Sequence, residues 1–132
     1  MINVVLDTNI IISAVISSEG NPAKTIKLVS VNENIQIYYC SAILEEYKRV
    51  LSYARLNFSK QKQVRVINLI EKYGISIQPE RSNILLPDES DRIFYDTAKA
   101  VNAYLITGNL KHYPEESHII SPAQFIEIFR EQ

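Results

Sequence analysis

Four short stretches of this sequence place acids or amides where a phosphodiester or a divalent cation could be handled. Asp7 ends an apolar run, Glu45 and Glu46 stand side by side in SAILEEYKRVL, Asp88 and Asp91 sit in PDESDRIFYDTA, and Thr107-Gly108-Asn109 closes YLITGN. Carboxylates gathered at neutral pH repel one another unless a proton or a cation intervenes, and a hard ion such as Mg²⁺ or Mn²⁺ is the natural counter-charge. An oxygen-rich set without His or Cys disfavours zinc or copper. Such an ion polarises a phosphodiester, acidifies a water and stabilises a leaving oxygen, so the pattern points towards phosphodiester cleavage. Acids at helix starts also serve as caps, and that reading stands beside the catalytic one.

The individual residues separate these readings. A carboxylate at the end of a fully apolar strand is costly to bury without a partner, which favours a functional role for Asp7. Glu45 and Glu46 are adjacent on a helix and point in different directions, so at most one faces a shared site. Asp88 reads as a helix cap, with Asp91 three residues on in a capping-box arrangement. Asp96 follows Arg92 by four residues, the spacing of a surface ion pair. Cys40 reads as an inert core thiol. His112 and His118 flank a loop without a paired acid-and-nucleophile arrangement, and no catalytic role is assigned to either.

Short strands alternating with amphipathic helices must position these groups. Strands are expected at residues 2–6, 36–40, 75–77, 104–107 and 119–120, each β-branched or aromatic and apolar. Helices are expected at 9–16, at 21–31 with Asn21 as cap and Pro22 in the first turn, and at 41–53 capped by Ser41. Further helices follow at 60–73, stopped by Gly74, at 88–102, and after Ser121, where Pro122 and Gln124 supply a first-turn proline and a capping partner. This order predicts an α/β sandwich on a mainly parallel sheet, whose ligands sit at the carboxyl ends of the strands near the switch in strand order. Asp7, Glu45 or Glu46, Asp88 and Asp91, and Thr107-Gly108-Asn109 can converge there.

A chain of 132 residues is expected to form one domain, 1–132, with room for a sizeable core. Its apolar fraction of 46% with only 3 Gly and 5 Pro argues against disorder. The single cysteine excludes an internal disulfide and suits a reducing, cytoplasmic setting. No stretch is long and apolar enough to span a membrane, and the apolar start lacks the basic flank of a signal peptide. Between Tyr47 and Ile70 lie Lys48, Arg49, Arg55, Lys60, Lys62 and Arg65 with no acid. Because the whole chain carries −1, this stretch of +6 leaves −7 elsewhere. It can hold a polyanion, with solvated helix faces as the plain alternative.

Val5-Leu6-Asp7-Thr8-Asn9, Ser41 followed five residues later by Glu46, Asp91 in DRIFYDTA, and Thr107-Gly108-Asn109 in LITGN together resemble the PIN-domain ribonucleases. The similarity spans essentially the whole chain, through the closing IISPAQFIEIF, and is nearest to the branch of toxin components in toxin–antitoxin systems. It implies a three-layer α/β/α sandwich and a Mg²⁺- or Mn²⁺-dependent endoribonuclease, often a homodimer, inhibited by a cognate antitoxin. By motif, Asp7, Glu46 and Asp91 match the first three family acids and are expected to hold the metal. The fourth family acid follows Thr-Gly; here that position is the neutral Asn109, expected with the catalytic set because it can offer a carbonyl oxygen or bind a metal-bound water, although it removes one negative charge. Thr107, Lys48, Arg49 and Arg55 are expected to contact the RNA substrate. A PIN-fold module with weakened catalysis, binding RNA or a protein, is the alternative. A phospho-receiver domain is disfavoured, because the chain lacks its paired acids at the first strand and its strand-end lysine.

Overall fold

A computed structural model describes residues 1–130. Five strands, β1 (Ile2–Leu6), β2 (Ile35–Tyr39), β3 (Gly74–Ser76), β4 (Tyr104–Ile106) and β5 (Ile119–Ile120), form one sheet in the order β3-β2-β1-β4-β5. Every pairing is parallel. β1 is central, which explains its unbroken apolar sequence: Val4, Val5 and Leu6 are completely buried between helices on both faces. Among the described residues six helices complete the α/β/α sandwich: α1 (Thr8–Ile16), α2 (Asn21–Val31), α3 (Ser41–Leu51), α4 (Lys60–Tyr73), α5 (Arg92–Ala100) and α6 (Pro122–Arg130). α2 packs on α1 and α6, α5 lies over β1, β2 and β4, and α3 touches α1, α4 and α5. Among the described residues, no helix is long and apolar enough to cross a membrane.

The order of strands determines where a site can form. β1 has β2 on one side and β4 on the other, so the connections leaving it diverge and open a crevice beyond the carboxyl ends of β1 and β4. Asp7 and Thr107 are the first residues past those two ends. Tyr47 of α3 locks the crevice wall in place: its buried hydroxyl donates to the carbonyl of Leu6, the last residue of β1. That contact brings the preceding residue, Glu46, to the same edge.

Several local expectations need correction. Ser41 is the first helical residue of α3 rather than its cap; Cys40, in extended conformation, takes that place without a side-chain hydrogen bond. Gly20 likewise precedes α2, with Asn21 already helical. The helix after β2 ends at Leu51 instead of 53, followed by a 3₁₀ turn at Ala54–Leu56. β3 begins at Gly74, the residue that also stops α4. A Cβ at Gly74 would come within 2.6 Å of the Ile70 carbonyl oxygen and 2.8 Å of the Tyr39 ring, so only glycine lets helix and strand meet so closely. The expected box after Ser121 does form: Gln124 accepts from the Ser121 amide at 2.8 Å and donates its own amide to Ser121 Oγ at 3.1 Å.

The region before α5 departs further from expectation. Asp88 caps a 3₁₀ turn, Glu89–Asp91, by accepting from the Ser90 amide at 3.0 Å, and α5 starts only at Arg92. Asp91 therefore forms no capping box and is free to turn elsewhere. Arg92 and Asp96 are buried and do not make a surface pair. Arg92 donates to the carbonyls of Ser82 and Ile84 and to Glu89, while Asp96 accepts from the Ser82 amide at 3.0 Å. Both tie the irregular segment 77–87 down over α5, satisfying backbone groups that have no ladder partner there.

Candidate active site

Asp7 is 5% exposed, and every hydrogen bond it accepts is built by the fold. As the N-cap of α1 it accepts the Thr8 amide on Oδ1 at 2.8 Å. Its Oδ2 accepts the Thr107 hydroxyl at 2.8 Å and the Tyr113 hydroxyl at 3.0 Å. Burial raises the Asp7 pKa and these three donors pull it back, with burial the larger effect. Tyr113, itself buried, is pushed up first by burial and then by the negative charges of Asp7 and Asp91. Asp7 is thus a desolvated carboxylate whose orientation is fixed before any ligand arrives.

Glu46 reaches the crevice from α3. Its Oε2 accepts the Thr8 hydroxyl, and its Oε1 lies 3.7 Å from Arg49. Its side chain is 16% exposed, whereas that of Glu45 is 75% exposed and pairs with Lys48 at 3.7 Å. The two adjacent glutamates therefore part as expected from helix geometry, with Glu46 the one that faces the crevice.

Asp91 comes from the opposite side, at the end of the 3₁₀ turn. Its Oδ2 is buried with no hydrogen-bond partner; His112 Nδ1 stands 3.3 Å away, off the alignment a hydrogen bond needs. The Asp91 pKa is raised to about 6, first by burial and then by the charges of Asp7 and Asp88, with Glu46 adding to the effect and His112 opposing it. The three acids consequently share one field although they come from three distant parts of the chain. Among the described residues, no three His, Cys, Asp or Glu side chains are drawn tightly enough to enclose an ion as they stand. The donors nevertheless fit a hard divalent cation: they are carboxylates, they repel one another, and one carries a buried oxygen that nothing else satisfies.

The remaining expected residues fall into two groups. Thr107, expected among the substrate contacts, is completely buried with its hydroxyl on Asp7, so it orients an acid. Asn109 is exposed; its backbone N–H donates to Thr107 Oγ1 at 3.0 Å, and it lines, with His112 and Ser121, a surface cavity of about 440 Å³. Neither this cavity nor a larger hollow of about 540 Å³, between Leu110, Tyr113 and Gln124, is lined by any of the three acids. Lys48, Arg49 and Arg55 follow Glu46 outward along α3 and the turn after it. Arg49 donates to the Tyr53 hydroxyl at 2.5 Å, and Arg55 lies over the Tyr53 ring at 5.2 Å. Lys48 borders a separate groove between α3 and α4 that Lys60 shares.

Thr8, Tyr113 and His112 were not legible as site residues. Thr8 could have been suspected, since it directly follows Asp7 at the start of a helix. His112 had a weaker signal, an ionisable residue in the loop opened by Thr107-Gly108. Tyr113 meets Asp7 across 106 residues, and no local pattern announces it. Tyr113→Phe is expected to weaken binding of added Mn²⁺ at Asp7 by roughly 10-fold, the scale for removing a partner that orients a ligand. Folding should remain cooperative, and a melting curve alongside metal titrations checks both parts.

The chain matches the family model described as PIN domain over residues 3–111. It is 30% identical over 111 residues to the uncharacterized protein MJ1680 of Methanocaldococcus jannaschii, a match covering 82% of this chain and 71% of that protein. Among solved structures, it is similar to a chain in the crystal structure of VapBC2 from Rickettsia felis bound to a DNA fragment from their promoter. The TM-score is 0.62 at 19% identity, covering 91% of this chain and 97% of that one.

Proposed function

This chain belongs to the PIN-domain family, and from that premise we propose that it is a metal-dependent endoribonuclease, the toxin of a cytoplasmic toxin–antitoxin pair. The observation that carries the reading is the buried, unpartnered Oδ2 of Asp91, held in the field of Asp7 and Glu46 at the switch in strand order. An oxygen placed so, with no hydrogen bond and only His112 Nδ1 at 3.3 Å beside it, is a ready ligand for a divalent cation. Asp7, Glu46 and Asp91 would hold Mg²⁺ or Mn²⁺. Bound there, the ion would supply charge to polarise a phosphodiester and make a water more acidic.

The protein's own groups do the rest. Thr107, Tyr113 and the Thr8 amide keep Asp7 in one orientation, so no side-chain freedom is lost there on binding. The Thr8 hydroxyl holds Glu46 at the edge of the crevice. Arg49, beside Glu46, would exchange that carboxylate for an RNA phosphate, and Arg55, on the same Tyr53, would extend the positive strip. Lys48 instead pairs with Glu45 at the α3–α4 groove, away from the crevice. Asn109 offers a neutral amide from the cavity wall.

A protein antitoxin as partner is what the sequence's resemblance to toxin components implies, and the likeness in fold to a chain of VapBC2, solved bound to a DNA fragment from their promoter, accords with it. A homodimer, as the family resemblance implies, completes the proposal. Incubating purified protein with single-stranded RNA tests the activity: cleavage should require Mg²⁺ or Mn²⁺ and stop with chelator. Glu46→Gln should lose most of that cleavage, at least about 10-fold, and Glu45→Gln should stay within about 2-fold of wild type. Intact RNA at every metal concentration would instead favour a PIN-fold binding module.

A further inference from the structure

The loop after β4 returns an imidazole to the acid cluster. The 3₁₀ turn Leu110–His112 places His112 Nδ1 3.3 Å from the buried Asp91 Oδ2, close enough to share a partner yet misaligned for a hydrogen bond between them. Two cis ligands in an octahedral shell with bonds of about 2.1 Å stand about 3 Å apart. We propose that His112 is a further ligand of the ion held by Asp7, Glu46 and Asp91, giving the site one nitrogen donor and a preference for Mn²⁺ over Mg²⁺.

This inference rests on the metal-dependent reading above and adds to it the identity of a donor and the metal it selects. Three features carry it. The His112 side chain is 49% exposed and lines the open cavity beside Asn109, so an ion can reach it without rearrangement of the core. Its charge, when present, is felt by Asp7, Asp88 and Asp91 alike, which puts the ring at the mouth that these acids share. A neutral imidazole also adds a donor without adding to the repulsion among the acids. Imidazole nitrogen suits Mn²⁺ and later transition ions better than Mg²⁺, which takes oxygen almost exclusively. His118 lies elsewhere, against Glu116 and Tyr95.

Pulsed electron paramagnetic resonance on tag-free protein loaded with Mn²⁺ tests the ligand directly. Wild type should show imidazole ¹⁴N modulation that His112→Ala loses and His118→Gln retains. In calorimetric titrations His112→Ala should weaken Mn²⁺ about 10-fold and Mg²⁺ by no more than about 2-fold. Asp7→Asn separates the two levels of the argument. If Mn²⁺ binds in an Asp7-dependent way without nitrogen modulation, or if His112→Ala weakens both ions equally, His112 is not a ligand and the metal reading survives. If Mn²⁺ binding does not depend on Asp7, both fall.

Discussion

Asp7→Asn is expected to abolish metal-dependent RNA cleavage in a protein that still folds. The loss should exceed the roughly 10- to 100-fold that removal of an outer supporting partner costs, because Asp7 is itself the proposed donor. The fold should tolerate the change. Asparagine keeps an oxygen for the Thr8 amide, and the Thr107 and Tyr113 hydroxyls can rotate to accept from its amide. Loss of the charge also removes a burial penalty, so stability without metal should stay within about 1 kcal/mol of wild type. Cleavage assays with Mg²⁺ and Mn²⁺ and urea unfolding check the two parts.

Asp91→Asn should separate stability from function more sharply, losing cleavage while gaining stability. The folded protein holds the Asp91 proton up to a pH of about 6, whereas an unfolded carboxyl releases it near 3.8. Between those values the unfolded state binds fewer protons, so this residue's contribution falls as pH rises, and the loss is complete above about pH 6. Asp91→Asn removes that loss. The variant should match wild type near pH 4 and exceed it by about 1 to 2 kcal/mol above pH 6 without metal, allowing for solvent screening at a partly open mouth. Added Mn²⁺ should stabilise wild type by binding the folded state and should do little for the variant. Urea unfolding across pH 4 to 8, with Mn²⁺ and with chelator, reads both effects.

The architecture was legible wherever one physical cause dominated. Val4-Val5-Leu6 reads as a doubly buried strand because nothing polar interrupts it, and Ser121 with Gln124 reads as a capping box because both partners are local. Expectation failed where two demands met in one residue. Gly74 both stops α4 and opens β3, so the strand starts one residue early. Cys40 leaves β2 directly into α3, which makes Ser41's capping chemistry unnecessary. The inserted 3₁₀ turn detaches Asp91 from its capping role, and segment 77–87 recruits Arg92 and Asp96 inward. In the candidate site, the acids were visible from their positions at the ends of strands and starts of helices. Their partners were less so: Thr107 was legible as a site residue but not as the hydroxyl that holds Asp7, and Tyr113 and His112 meet the acids only after β4 lies beside β1.

The claim at the centre of this account is that Asp7, Glu46 and Asp91, far apart in sequence, share one divalent ion. Crystals soaked in Mn²⁺ and measured for anomalous scattering test it most directly. The account predicts a peak at the carboxyl ends of β1 and β4, in contact with Asp7 and Asp91, that is absent from Asp7→Asn crystals soaked alike. No anomalous density between these acids, in crystals of protein that binds Mn²⁺ in solution, would contradict it.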